Sequence, residues 1–375
     1  MSARGVRMAA FGVVVAVAAS GVAALASASP SKVVGVVAGG APAGVTVFAG
    51  PPLKAPPPGV SKQADALAFF PRGATVAAGQ SVTFMIAGFH TVTFGKQKSF
   101  PLVVPFPRGK QPALTDAAGA PLWWGGAAPL LSLNPRAIPQ LGGATISSPS
   151  QVRSSGLLRV LTAGNKPPKP YVLEFAKPGL YHFFCVVHPG MRGTIKVLPS
   201  TATAPAPAQA TARAQTQLAH MIGDIKSIQS ANPTEKLAVW VGTGKLNGAS
   251  VTAFFPKRLV VNSGETVKFV SHDPTDIHTV TFGPDAYTGQ IEKTFTSPKG
   301  AFNPFGVFPS EPPGPPAPVV YNGQNHGNGY LNAGIVYPYT NKQTPHVFRV
   351  TFTKPGVYHF ECVIHQHMDG TIIVR

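Results

Sequence analysis

Residues 171–197, YVLEFAKPGLYHFFCVVHPGMRGTIKV, recur without a gap as 348–374, FRVTFTKPGVYHFECVIHQHMDGTIIV, at a constant offset of 177. A second set of matches lies upstream, pairing AFFP at 68–71 with AFFP at 253–256 and GFHTVTFG at 88–95 with DIHTVTFG at 276–283. The offset there grows from 185 to 188, so the repeat is a whole domain with small differences in loop length. Such a period is far too long for a solenoid, whose repeats run to about 20–50 residues. Within each copy, SVTFMIA (81–87), GTIKVL (193–198), TVKFVSH (266–272) and HVFRVTF (346–352) set β-branched and aromatic residues in partial alternation. Gly, Pro, Asn and Asp separate these runs, which is the pattern of short strands joined by turns. With 40 Gly and 40 Pro among 375 residues, long helices cannot be the main architecture. The predicted fold class is all-β, an antiparallel β-sandwich present twice.

The chain length agrees with two domains, because a single core rarely grows past about 250 residues. Arg4 and Arg7 precede an apolar stretch, AAFGVVVAVAASGVAALA at 9–26, which ends at the small-residue site Ala26-Ser27-Ala28. That pattern predicts a cleaved signal peptide over 1–28, with a retained N-terminal anchor as the alternative. The expected location of the mature protein is periplasmic, extracellular or cell-surface. The first domain is placed at 40–198, a Pro/Ala-rich linker and short helix at 199–235, and the second domain at 236–375. The linker proper is PSTATAPAPAQATAR at 199–213, and Leu218, Met221, Ile222, Ile225 and Ile228 then recur at helical spacing over roughly 214–231. The reading favoured for this helix is an amphipathic connector without chemistry. Long Pro/Gly-rich segments, about 96–155 and 284–335, interrupt the two domains. Loops of that length are usually functional or mobile.

Charge narrows the partners. Only 12% of residues are charged, and 31 Lys+Arg against 13 Asp+Glu leave a formal +18. The basicity reflects a shortage of acids, without the dense basic runs, interleaved aromatics or zinc-finger spacing that mark nucleic-acid binding. An acidic redox partner or an anionic cell surface suits it better.

The chemistry lies at the two cysteines. In each repeat a strand ending in Cys runs into a turn with His three residues on and Met six residues on, giving Cys185, His188, Met191 and Cys362, His365, Met368. Far upstream stands a further histidine, His90 or His278, in the shared HTVTFG context. Two imidazoles, one thiolate and a weak thioether are the ligand set of a blue-copper electron-transfer site. The soft sulfurs favour Cu(I) and the imidazoles accept either valence. Strand alternation places Tyr181, Phe183 and Cys185 on one face, and Tyr358, Phe360 and Cys362 likewise, so aromatics would wall off each sulfur. Three blander readings stand beside this one. The two cysteines of an exported chain can form one disulfide, the methionines can simply fill the core, and zinc also accepts Cys and His.

These residues resemble the cupredoxin (blue copper protein) family in its amicyanin- and plastocyanin-like form. The resemblance rests on the Cys-x2-His-x2-Met loop, on Pro189 after His188, and on the Lys-Pro-Gly-x-Tyr that precedes each loop, and it covers about half of the mature chain. It implies two Greek-key β-sandwich domains in tandem and two type 1 coppers. One would be held by His90, Cys185, His188 and Met191, the other by His278, Cys362, His365 and Met368. The implied activity is single-electron carriage between a redox protein donor and acceptor, with the methionines tuning the potential and His188 and His365 as the exit. Two departures matter. Family members often carry Asn after the upstream His, where this chain has Thr91 and Thr279, and a hydroxyl can make only part of that network. The His-to-Cys separations of 95 and 84 residues are also about twice those of small members, so the insertions cover the surface on which partner choice would be read.

A copper-dependent oxidoreductase of the multicopper oxidase or nitrite reductase kind is the rival class, and copper storage or delivery is the third. The oxidoreductases join their blue copper to a catalytic centre through a His directly beside the ligand Cys. Phe184 and Glu361 precede the cysteines here, so the sequence favours a carrier over an enzyme. His272, His326 and His346 are the residues from which a second type of site would have to be built. His182 and His359 fall on the opposite strand face from the cysteines and read as surface residues. His367 follows His365 in a His-x-His pair, while Trp123 and Trp124 read as the filling of a satellite core rather than a docking patch.

Overall fold

The computed structural model describes residues 44–375 except 162, 164–166, 189, 298, 299, 314–317 and 341; of 106–109 and 161 it describes the backbone only. The signal peptide expected over 1–28 and Pro189 lie outside the described residues. The chain is all-β in its architecture, with four larger sheets facing one another in two pairs.

In the first pair, one sheet runs Phe69–Phe70, Val45–Ala49, Ser81–Ile86, Tyr171–Phe175, Thr145–Ile146, and the other Arg153–Ser154, Thr93–Phe94, Gly179–Phe184, Arg192–Leu198, Gly73–Ala77. The burial pattern of Val45–Ala49 alternates strictly, which is the signature of a strand with one face on a core. Val47, Phe84 and Leu173 from one sheet meet Phe94, Phe183 and Ile195 from the other. Phe183 is the hub, with ring centroids 4.6 Å from Phe69, 5.3 Å from Phe84 and 5.4 Å from Phe94. Full burial of each such ring contributes about 1.5–3 kcal/mol.

The second pair repeats this plan. Val319–Tyr321, Val347–Phe352, Thr266–His272, Ala238–Gly244 and Ala249–Phe255 face Arg258–Val261, Asp369–Val374, Gly356–Glu361, Thr281–Phe282 and Leu331–Asn332. Phe360 takes the place of Phe183, 4.7 Å from Phe254 and 5.2 Å from both Phe269 and Phe282. The sheets are mixed rather than purely antiparallel. Val45–Ala49 runs parallel to Ser81–Ile86, and Ala238–Gly244 parallel to Thr266–His272, because a crossover lies between the paired strands.

Three structures join the halves. Ala64–Ala66, which the sequence assigns to the first domain, pairs with Ala249–Val251 and becomes the edge of the second domain's sheet. The helix is longer than the spacing of apolar residues suggested: it spans Pro207–Ile228 and begins inside the Pro/Ala/Thr stretch. Proline at the first helical position loses no hydrogen bond, and alanine has the best helix propensity, so that composition starts a helix as readily as it makes a linker. Its buried face, Ala210, Ala214, Met221, Ile225 and Ile228, contacts strands of both halves; all but Ala210 sit in one cluster with Phe70, Ala249 and Val251. The insertions also meet, through the hairpin Val103–Lys110 with Pro129–Leu133 and the segment 295–309. Phe302 N–H donates to Leu131 O, Trp123 Nε1 donates to Pro309 O at 2.9 Å, and buried Trp124 stacks on Phe308. The tryptophans therefore belong to a satellite core.

Candidate metal centres

Each centre is assembled by three pieces of chain. Gly179–Phe184 and Gly356–Glu361 deliver a cysteine at their ends, and the following turn returns towards it. In the first repeat Met191 N–H donates to His188 O and Cys185 N–H donates to Met191 O; Met368, His365 and Cys362 repeat both bonds. This closure keeps Met191 and Met368 buried in the same cores as the cysteines. The upstream histidines arrive from the segment that enters the neighbouring strand of the same sheet, Thr93–Phe94 or Thr281–Phe282.

The structure brings His90, Cys185 and His188 together, and His278, Cys362 and His365 together, with all ligand atoms of each group within 4.8 Å of one another. In the first, Nδ1 of His90 and Nδ1 of His188 are 3.0 Å apart, and Cys185 Sγ lies 3.9 and 3.7 Å from them. In the second, the two Nδ1 atoms are 3.2 Å apart and Cys362 Sγ is 3.5 Å from that of His365. Trigonal binding at about 2.0–2.1 Å to nitrogen and about 2.3 Å to sulfur spans edges of about 3.5–3.8 Å, so each triangle has the size of one ion's donor set. Two imidazole nitrogens aimed at each other in a buried site fit a shared cation far better than a packed core. Both cysteines are free thiols, which excludes a disulfide between them.

Electrostatics agree with a metal-ready site. Burial alone would push the Cys185 thiol up, but the adjacent His188 and His90 outweigh it and hold the group well below the ordinary thiol range. For Cys362, burial is likewise overcome by His365 and His278. Thiolate is the form that binds metal.

The threonines supply a clamp. Thr91 N–H donates to Cys185 Sγ at 3.4 Å, while its Oγ1 accepts the N–H of Val186, the residue after the cysteine, at 2.9 Å. Thr279 does the same for Cys362 and Val363, at 3.3 and 2.9 Å. One residue thus ties the upstream loop to the ligand turn on both sides of the sulfur.

Sequence reading missed two other features. Gly50 follows the strand Val45–Ala49 and Gly242 sits at the register shift within Ala238–Gly244, both at positive φ, and a Cβ on either would strike the upstream imidazole, at 2.9 Å from His90 Nε2 and 2.2 Å from His278 Nε2. The signal was present, since VTVFAG (45–50) and LAVWVG (237–242) both carry an apolar strand run into a glycine. Asp276 is the other: its Oδ2 lies 3.2 Å from His365 Nε2. His188 and His365 are only 8% and 7% exposed, and both line one cavity of about 160 Å³ between the halves, together with Asp65 and Asp276.

The remaining histidines do not converge. His272 stacks on Trp240 at 3.8 Å and bonds Thr243 Oγ1, His346 bonds Thr344 O, and His326 bridges Asp116 and Glu311. His182, His359 and His367 are exposed. Among the described residues, the two triangles are the only clusters of three or more such ligands.

No family model matches the chain, and no curated protein matches it. Solved structures that resemble part of it are cupredoxins. Amicyanin from Paracoccus versutus is 16% identical over 40% of this chain and 89% of its own, with a TM-score of 0.21. Plastocyanin from Dryopteris crassirhizoma is 18% identical over 37% of this chain and 99% of its own, at 0.20. A purple cupredoxin from Nitrosopumilus maritimus is 16% identical over 37% and 98%, also at 0.20.

Proposed function

We propose that the chain is an exported blue (type 1) copper protein with one copper in each repeat, carrying single electrons between a redox donor and a redox acceptor. The observation that carries this reading is the duplicated, buried His–Cys–His triangle with its threonine clamp. His90, Cys185 and His188 would hold one ion and His278, Cys362 and His365 the other, with Met191 and Met368 as the weak fourth ligands. Copper bound there supplies one-electron exchange between Cu(I) and Cu(II). The protein's part is rigidity: strand ends, a closed turn and a cross-loop bond hold the donors in one arrangement, so little reorganises when the valence changes. Carriage is favoured over turnover because Phe184, buried against Phe100, and Glu361 stand where a bridging histidine would be needed. The excess positive charge suits an acidic partner or an anionic surface.

The test is to add Cu(II) to the purified protein, count bound copper and record visible and EPR spectra. Two coppers per chain with an intense blue thiolate band are expected. A copper signal lacking that band would favour an oxidoreductase of the multicopper oxidase or nitrite reductase kind. Colourless binding would favour storage, delivery or zinc.

A further inference from the structure

We propose that Asp276 makes the two centres inequivalent, holding the Cys362 centre at the lower reduction potential, so that an electron shared within the chain settles at the Cys185 centre. This rests on the two-copper reading above. Three observations carry it.

The first is the bond itself. Asp276 is 7% exposed, its Oδ1 accepts the N–H of Ile277 at 2.8 Å, and its Oδ2 lies 3.2 Å from the outer nitrogen of His365. A buried carboxylate there raises the basicity of the imidazole and adds negative charge beside one ion, which favours Cu(II) over Cu(I).

The second is that the first repeat lacks it. Aligning GFHTVTFG with DIHTVTFG puts Gly88 opposite Asp276. No carboxylate among the described residues forms an ion pair with His188. Asp65, the other acid lining the cavity, accepts the N–H of Ala66. Asp65 also interacts electrostatically with His90 and His188, and Asp276 with His188, but only His365 has a carboxylate bonded to its outer nitrogen, so the two copies are alike in ligands and differ in that bond.

The third is adjacency. His188 and His365 line the same cavity, whose other walls include Phe89, Leu102, Phe295 and Ile364. The ligand loop of the first repeat also lies on the segment that carries Asp276, a Cβ on Gly190 coming within 3.9 Å of Thr275 Cγ2. The two imidazoles that would serve as exits thus border one cavity. The step is simple in its balance: one electron leaves the Cys362 centre, which is oxidised by one, and reduces the Cys185 centre by one, with no bond made or broken and no proton moved.

The experiment is a potentiometric titration of the blue band in the whole protein and in Cys185→Ala and Cys362→Ala, each with and without Asp276→Asn. Cys185→Ala, which keeps only the second centre, should titrate at the lower potential. Asp276→Asn should raise that potential clearly more than it raises that of the Cys362→Ala protein, where Asp276 acts on His188 only through space. Equal potentials in the two single-centre proteins, or a shift in neither or in both alike, would overturn the proposal. Should Asp276→Asn fail to fold, the comparison of the two single-centre proteins still decides. A wild-type chain that binds copper without a blue band would instead defeat the two-copper reading itself, so the two failures are distinguishable.

Discussion

Gly242 limits how closely the backbone can lie against His278. With φ at +69° and only 2.2 Å between an added Cβ and His278 Nε2, alanine is strained by its backbone and blocked by the ring. Overpacking of this kind typically costs about 1–3 kcal/mol. Gly242→Ala should therefore displace the imidazole and lower copper stoichiometry from two towards one, with the first centre still blue. Retention of two ions with an unchanged EPR spectrum would show that the close approach does not position the ligand. At this scale the sequence is legible only where chemistry restricts the residue type. A soft trigonal site needs Cys and His, so the ligands stand out from a composition poor in both. Thr91, Gly50 and Asp276 act through a hydroxyl, a missing Cβ and a charge, each common elsewhere, and only the three-dimensional approach gives them meaning.

The elements between the repeats carry more stability than their composition announces. Met221 and Ile225 on the helix Pro207–Ile228 pack in one cluster with Phe70 from the first half and Val251 from the second. Emptying that point by Met221→Ala should cost about 2–5 kcal/mol, as large-to-small changes in cores do. Urea denaturation of the metal-free protein would show it as a fall in midpoint without a change in slope. A change below about 0.5 kcal/mol would mean that the helix rests on the surface without binding the halves. The apolar period exposed this helix to sequence reading, although its first turn hid in the Pro/Ala run. Ala64–Ala66 could not be read at all. Three small residues carry no strand pattern of their own, and the strand exists because an edge nearly two hundred residues away offers unpaired backbone groups.

Across the whole molecule, the insertions hold the halves together as well as covering the sites. His326 in the second insertion sits between Glu311 and Asp116, at 3.2 and 2.9 Å, and Asp116 belongs to the first insertion. The bond from Glu311, more than burial opposes it, raises His326 above its ordinary value of 6.5, and Asp116 adds to the rise. Burial would lift Asp116, but the bonds from His326 and from the N–H groups of Ala120 and Ala118 leave it below its ordinary 3.8. The signs then fix a window. A raised imidazole contributes fully below about 6.5 and loses its contribution as pH climbs through the folded value. A lowered carboxylate contributes above about 3.8 and loses its share as pH falls through its folded value. The clasp is therefore strongest between roughly pH 4 and 6.5. Subtracting the stability of His326→Gln from that of the wild type, both metal-free, should give a difference that is largest in that window and shrinks from pH 6.5 to 9. A difference that grows with pH would reverse the assigned sign, and a flat one would mean that His326 is neutral in the folded chain. Because the same insertions wall the cavity shared by His188 and His365, loosening this clasp at high pH should also open that cavity to water. Protection of the Val187 and Ile364 amides, taken as the exchange rate relative to the intrinsic rate at each pH, should fall in the wild type between pH 5.5 and 8; unchanged protection would separate the clasp from the cavity.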